Sequence, residues 1–181
     1  MKKIFALVIM IILVIVPTIN TSAEAQFGWE DDLFHLYDIG LTFAVPVGAV
    51  LAGDSELAAI NEGSEGLEPT TIFMLYVPQK SIACIIGERV LDDPDEFDQY
   101  ADLLAQYLAH FSEVSLEDVR FVKTDFFAIG VIVISFLSGD SEYTVVVVPA
   151  PFGVYSLAIN APKGSGADGI SFMDELLAPM R

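Results

Sequence analysis

The four consecutive valines at positions 145–148 constrain the fold more than any other feature of the chain. A strand with one solvent-facing side alternates apolar and polar residues, because successive side chains point to opposite faces of the sheet. The valine run is apolar on both faces. We therefore predict that the strand at 142–148 is central in its sheet and is covered by protein on both sides.

Further short apolar runs bounded by turn residues predict the other strands, at 41–46, 70–77, 81–90, 119–123, 126–137 and 154–160. Turns at 78–80 and 138–141 join neighbouring runs into hairpins. Residues 27–38 are interpreted as an acidic and aromatic lead-in. Residues 54–68 are treated as a connection with a candidate helical turn at 56–60.

The longest helix is predicted at residues 94–111. Apolar residues recur there at three- and four-residue spacing on one face: Phe97, Tyr100, Ala101, Leu104, Tyr107, Leu108 and Phe111. Asp93 occupies the expected N-cap position, Pro94 has no N–H to lose, and Asp95 and Glu96 complement the positive end of the helix dipole. A second, short helix is predicted at 169–177.

The order of elements is a strand, a hairpin, a helix, an antiparallel meander and a final helix, with no βαβ repetition. This order predicts an α+β fold, a mostly antiparallel sheet with one long central helix and a short C-terminal helix.

The N-terminus predicts export. Lys2 and Lys3 precede an apolar run of 13 residues at 4–16, and an Ala-Glu-Ala triplet closes the segment. A basic start, a short apolar core and an A-x-A site are typical of a signal peptide, whereas a bilayer-spanning helix needs about 20 apolar residues. We therefore predict a signal peptide at 1–25, cleavage after Ala25, and one acidic domain at 26–181. The alternative is an uncleaved N-terminal anchor.

The net charge of −18 narrows the classes of partner. Nucleic acids and anionic membranes require a basic surface, so we expect the domain to bind neither. The single cysteine, Cys84, lies far from the apolar run, which excludes a lipoprotein anchor and an intramolecular disulfide. The sequence thus predicts a secreted or extracytoplasmic protein with no stable membrane span after cleavage.

The chain resembles the PsbP and Mog1-like α/β/α sandwich family, which includes many exported bacterial proteins of unknown role. The resemblance depends on the segment 37–46 with its glycine, strand and proline, on the helix after Asp92-Asp93-Pro94, on the hairpin at 138–141 and on the closing segment 172–177. The aromatic residue that is usual in the family soon after the opening proline is absent, and Val47-Gly48-Ala49-Val50 stands there instead. The resemblance implies a sandwich fold and accessory or partner-binding roles, and it assigns no site residues.

The densest group of carboxylates is the weak candidate for a metal site: Asp92, Asp93, Asp95 and Asp98, together with Glu96. Hard cations such as calcium bind several carboxylate and carbonyl oxygens. The group lacks the glycine and the distal glutamate of an EF-hand loop. Helix capping on a solvated face accounts for the same residues and is the preferred interpretation.

Other motifs give weaker indications. The segment 164–169 matches G-x-G-x-x-G, but the chain ends before the acidic residue that a dinucleotide site needs. His35 and His110 have no nucleophile motif near them, and we interpret both as structural or solvated. Cys84 lies in an apolar strand and is expected in the core. Trp29, within the aromatic lead-in, is either an anchor for a partner or part of a segment folded onto the domain.

These observations favour a non-catalytic exported domain that binds a protein or another envelope component, with no cofactor. Two alternatives stay open. One is a calcium-responsive exported protein that uses residues 92–98. The other is a hydrolase, which requires two carboxylates converging in one pocket.

Overall fold

The computed structural model describes residues 26–62, 69–164 and 169–179. The predicted signal peptide lies outside these residues, as does most of the glycine motif at 164–169. The strands within them are β1 (Phe27–Glu30), β2 (Leu33–Leu36), β3 (Leu41–Ala44), β4 (Val50–Leu51), β5 (Thr70–Val77), β6 (Ile82–Val90), β7 (Arg120–Phe126), β8 (Ile129–Ser138), β9 (Ser141–Ala150), β10 (Gly153–Pro162) and β11 (Leu177–Pro179). The helices are α1 (Asp54–Glu62), α2 (Phe97–Phe111) and α3 (Gly169–Leu176), with single 3₁₀ turns at Pro94–Glu96 and Leu116–Asp118.

The larger sheet has seven strands in the order β4-β5-β6-β10-β9-β8-β7, and all neighbours are antiparallel. Strand β9 is internal, and all four of its valines at 145–148 are buried. The prediction of a central strand covered on both sides is therefore confirmed. At the start of β10 the chain passes very close to β6: a Cβ on Gly153 would lie 2.0 Å from the Arg89 carbonyl oxygen, so this position requires glycine.

The smaller sheet covers one face of the larger sheet. It has four antiparallel strands in the order β1-β2-β3-β11. Phe34 and Phe43 of this sheet contact Phe73 of β5, with ring centroids 4.8 and 4.9 Å apart. Helix α3 contributes Phe172 and Met173 to the same buried cluster. This layer holds the main hydrophobic core.

Helix α2 covers the opposite face. Its buried residues are Tyr100, Ala101, Leu104, Ala105 and Ala109. The first four of them cluster with Ile132 and Ile134 of β8, Val145 and Val147 of β9, and Val154 of β10. Because adjacent residues of β9 belong to the two different clusters, the sheet separates two apolar layers.

The predicted fold class, with one long central helix, is wrong. A helix does form within residues 94–111, but it has 15 residues and lies on one outer face of the larger sheet. Among the described residues, strands in two sheets dominate and the three α-helices are short. The apolar stripe of α2 needs only one partner surface, so its periodicity indicated a helix but not a central position.

Two parts of the smaller sheet were not predicted as strands. The lead-in at 27–38 is the hairpin β1–β2, whose turn residues Asp31 and Asp32 adopt positive φ angles of 49° and 63°. Aspartate is one of the few non-glycine residues that tolerates this conformation. The chain after α3 forms β11, which pairs with β3. Within the described residues, no helix is long and apolar enough to cross a membrane.

Candidate functional site

Helix α1 is attached by hydrogen bonds to the edge of the larger sheet. Just before the helix, the Ala52 N–H donates to the Met74 carbonyl oxygen at 3.0 Å. Near its end, Asn61 Nδ2 donates to the Thr71 carbonyl oxygen at 2.9 Å, and the Thr71 N–H donates to Asn61 Oδ1 at 2.7 Å. The side-chain amide thus satisfies both backbone groups of Thr71, as a neighbouring strand would. This stretch of the β5 edge is closed to a further strand.

The same helix buries none of its residues, and an apolar groove remains between α1 and strands β4–β5. We call it the α1 groove. Its volume is about 350 Å³, and its lining residues are Val50, Leu51, Ala52, Glu56, Ala59, Ile60, Met74, Leu75 and Tyr76. Glu56 is the one charged residue among them. The groove is therefore an apolar surface at the edge of a very acidic molecule.

Several side chains of the α1 groove are open to solvent. Val50 is 59% exposed, Leu51 38%, Ile60 40% and Tyr76 41%. Single exposed apolar residues are common on protein surfaces, but a contiguous group with a concave floor marks an interaction site. Exposure, concavity and apolar character therefore coincide in the α1 groove.

The helix that borders this groove is acidic. Helix α1 carries Asp54, Glu56 and Glu62 and contains no lysine or arginine. Glu56 Oε2 accepts the N–H of Gly53 at 2.8 Å, which holds the first turn of the helix. Because Glu56 lies among the exposed apolar side chains of the groove and the rest of the helix carries no positive charge, the surface matches a ligand that combines apolar and positively charged groups.

A second feature is a pair of carboxylates at the rim between the two sheets. Asp38 lies in the turn between β2 and β3, and Glu88 lies on β6 directly opposite Tyr155 of β10. The buried Tyr155 hydroxyl donates to Asp38 Oδ1 at 2.9 Å. This hydrogen bond joins the smaller sheet to the larger one.

Both carboxyl groups of this pair hold protons more tightly than usual. Burial raises the pKa of Asp38, and the hydrogen bond from Tyr155 opposes that rise. Burial also raises the pKa of Glu88, and the negative charge of Asp38 adds to the effect. The Tyr155 pKa is raised by burial and by its bond to Asp38. The pair is a candidate acid/base site.

The candidate calcium ligands lie together at the start of α2 and are exposed. Asp93 Oδ1 accepts the Asp95 N–H at 2.9 Å, which caps the 3₁₀ turn before the helix. Asp98 Oδ2 lies 2.6 Å from Lys123 Nζ on β7. No group of three or more acidic, histidine or cysteine side chains in the described chain is arranged around a common point. Calcium binding by Asp92, Asp93, Asp95 and Asp98 stays a prediction.

The two histidines and the cysteine lie in three different elements of the fold. His35 is buried in β2, where its Nε2 donates to the Glu30 carbonyl oxygen at 3.3 Å and its Nδ1 lies 3.1 Å from the Thr42 hydroxyl. His110 is exposed near the end of α2, on the other side of the larger sheet. Cys84 is fully buried in the main core, and burial raises the pKa of its thiol to about 12. The core position expected for Cys84 is confirmed.

Trp29 belongs to a segment folded onto the domain. Its ring packs against Phe34 and Phe73, with centroids 5.4 and 5.8 Å away, although the side chain stays 50% exposed. Of the two interpretations of Trp29, the one in which its segment is folded onto the domain is confirmed.

The sequence singled out neither the α1 groove nor the carboxylate pair. The groove depends on the contact between Asn61 and Thr71. These residues are ten positions apart in the sequence, and no motif marks them as partners. Asp38 and Glu88 are distant in sequence and meet only through Tyr155. The one available signal was Tyr37-Asp38 within the segment that resembles the opening of the PsbP family.

Comparisons with known proteins do not indicate a function for this chain. No family model and no curated protein matches the chain. A crystal structure of a protein from Bacteroides thetaiotaomicron is similar over 78% of this chain and 46% of that one, with 13% identity and a TM-score of 0.41. The chain thus corresponds to less than half of that protein. The resemblance to the PsbP and Mog1-like family stays a prediction.

Proposed function

We propose that this chain is an exported, non-catalytic domain that binds another polypeptide through the α1 groove. The observation that carries the proposal is the open apolar groove of about 350 Å³ bordered by a helix with no buried residue. An amphipathic helix normally packs its apolar residues on its own domain. Here Val50, Leu51 and Tyr76 of β4–β5 stay exposed beside the helix and are accessible to a partner.

The chemistry of the groove limits which kinds of polypeptide segment can bind there. Asn61 occupies the backbone groups of Thr71, so strand addition along this part of β5 is blocked, and binding depends on side chains. The acidic residues of α1 favour positive charge beside the inserted apolar groups. We expect a segment with one or two large apolar residues flanked by lysine or arginine.

Selection from a library of displayed random peptides tests this proposal on the full chain. We expect the selected peptides to share apolar anchors with flanking basic residues. Replacing Ile60 or Leu51 by serine should lower the affinity for the selected peptides by roughly tenfold or more, as expected for a central interface residue. Leu116→Ser is the matched control, since Leu116 is 54% exposed and lies outside the groove. Equal binding by the Ile60 and Leu116 variants would contradict the proposal.

A hydrolase is the second candidate, and the pair Asp38 and Glu88 is the observation in its favour. One carboxyl group with a raised pKa beside another carboxylate suits general acid/base chemistry. Assaying the full chain against a broad panel of glycoside, ester and peptide substrates tests it. Turnover that is lost in both Asp38→Asn and Glu88→Gln would establish the hydrolase and refute the non-catalytic proposal.

A further inference from the structure

Strand β7 forms one edge of the larger sheet and is almost entirely exposed. Six of its seven residues are exposed, and Phe126 is buried. It pairs with β8 on one side, and no described strand pairs with its other side. At the opposite edge of the sheet, β4 and the tethered helix α1 occupy the side of β5. The two edges of the same sheet are therefore covered to different extents.

The exposed residues of β7 have the composition expected for a ligand of the α1 groove. Phe121 is 37% exposed and Val122 is 44% exposed, and Arg120 and Lys123 flank them. Within the described ranges, the other basic residues are Lys80, Arg89 and Lys163. Strand β7 thus places two positive charges beside two exposed apolar side chains in a chain whose net charge is −18.

Phe121 and the exposed side of the groove lie on the same face of the larger sheet. Phe121 is directly opposite Ile134 of β8, which belongs to the cluster beneath α2. Leu75 of β5 points into the main core, so Tyr76 beside it points to the face that carries α2. Val50 is directly opposite Tyr76 and shares that face. Two copies placed edge to edge therefore present these side chains on one common face.

We propose that the partner of the α1 groove is strand β7 of a second copy of this chain. Phe121 of one copy enters the groove of the next and contacts Val50 and Tyr76 there. Arg120 of the first copy pairs with Glu56 of the second, the charged residue among those that line the groove. This inference rests on the proposed function, because it uses the same groove, and it adds the identity of the partner.

The basic residues of β7 have donors for this contact. Arg120 forms no ion pair with another described residue. Lys123 Nζ lies 2.6 Å from Asp98 Oδ2, but its side chain is exposed and an ammonium group has three donors. A lysine within an edge strand disfavours pairing with a further strand, and Asn61 blocks such pairing beside the groove. The contact therefore depends on side chains in both copies.

Each copy uses two different surfaces in this contact. The groove of one copy and the β7 strand of the other stay free, so further copies add until a ring closes or an open filament forms. The net charge of −18 opposes assembly at low ionic strength. At about 0.15 M salt the Debye length is about 8 Å, which screens repulsion between distant charges while adjacent groups still interact. We expect weak self-association under that condition.

Sedimentation velocity of the full chain at about 0.15 M salt, from roughly 1 μM to about 1 mM protein, tests the inference. The mean mass should rise with concentration for the wild type. It should stay that of the monomer for Leu51→Ser, which alters the groove, and for Phe121→Ser, which alters β7. Phe152→Ser is the matched control, since Phe152 is 66% exposed and lies outside both surfaces, and it should associate like the wild type.

Mixing the two defective variants tests whether these two surfaces meet each other. Phe121→Ser keeps an intact groove and Leu51→Ser keeps an intact β7, so an equimolar mixture should form heterodimers that add no third copy. A contact that used the same surface on both copies would not be restored in this way. Restoration also shows that both variants are folded.

The charge contribution is measured with Arg120→Gln, which should weaken self-association several-fold. Lys163→Gln removes the same charge from an exposed position outside both surfaces and should leave it unchanged. Equal effects of these two variants would contradict the pairing of Arg120 with Glu56.

Self-association through β7 is overturned if the wild type stays monomeric to about 1 mM, if Leu51→Ser and Phe121→Ser associate like the wild type, or if their mixture stays monomeric. The proposed function is tested separately by the peptides selected from the library. Phe121→Ser should bind them as the wild type does, because its groove is intact. Peptide binding without self-association would keep the proposed function and refute this inference alone.

Discussion

Helices α1 and α2 both begin with acidic residues and both lie against the larger sheet, yet different forces hold them there. Helix α2 buries five residues, and four of them cluster with strands β8–β10. Helix α1 buries none and depends on hydrogen bonds from Ala52 and Asn61. Packing buries the apolar residues of a helix. Attachment by hydrogen bonds, which we call the tether of α1, leaves such residues exposed. This difference is why we place partner binding at α1.

The largest effect should come from the packed helix. Leu104→Ala removes a buried side chain from the layer between α2 and β8, and such deletions lower the free energy of unfolding by about 2–5 kcal/mol. Ile60→Ala in α1 should lower it by less than about 1 kcal/mol, because Ile60 is 40% exposed. Urea unfolding of both variants measures the difference. Similar losses in the two helices would contradict the contrast between packing and tethering.

The tether itself should have a smaller and more local effect. Asn61→Ala removes both side-chain hydrogen bonds to Thr71, a loss of about 1 kcal/mol per bond at most sites. We expect faster amide exchange at Thr71 and through α1, with no change in α2. Asn61→Asp is the matched variant, since it keeps the acceptor for the Thr71 N–H and loses the donor. An intermediate effect is expected there, and unchanged exchange at Thr71 in Asn61→Ala would refute the tether.

The carboxylate pair gives a pH-dependent effect. The pKa of Glu88 is raised in the folded state, so the native state binds its proton more tightly than the unfolded state does. The resulting stabilisation is present at acid pH and is lost as the pH rises through the folded-state pKa. Glu88→Gln should therefore raise the melting temperature relative to wild type at pH 7, and this advantage should disappear near pH 4.

Glu117→Gln is the control for the carboxylate pair, because it removes one negative charge at an exposed site and reports the effect of net charge alone. An equal gain in both variants at pH 7 would show that the environment of Glu88 plays no special role.

The smallest effect is expected for calcium. Asp93 and Asp98 already bond to the Asp95 N–H and to Lys123, so we expect calcium to change the melting temperature no more than magnesium does. A shift of several degrees for calcium alone, lost in the double variant Asp95→Asn and Asp98→Asn, would instead establish the calcium-responsive alternative.

Sequence reasoning succeeded where a local pattern determines the element. The valine run identified the central strand β9, and the strand predicted at 70–77 coincides with β5. It failed where stability comes from distant contacts. The segment with the hairpin at Asp31 and Asp32 was interpreted only as an acidic and aromatic lead-in, because its strands have four residues each and gain stability only on the core.

Helix α1 was reduced to a candidate turn for a related reason. It has no buried stripe to produce a periodic signal, and its anchor is the backbone of Thr71 in another element. The candidate sites show the same difference between local patterns, which the sequence reveals, and contacts between distant residues, which it does not. The exposed carboxylates at 92–98 were visible because they are adjacent, whereas the α1 groove and the pair of Asp38 and Glu88 are assembled by the fold.

Hydrogen–deuterium exchange of the full chain, alone and with a peptide selected for binding, tests the central claim most directly. In the free protein, amides of α1 should exchange at least roughly tenfold faster than those of α2, because a helix with no buried residue opens locally. The peptide should slow exchange in α1 and β4–β5 and leave α2 unchanged. Protection that appears elsewhere, or an α1 as slow as α2 before any peptide is added, would contradict the account.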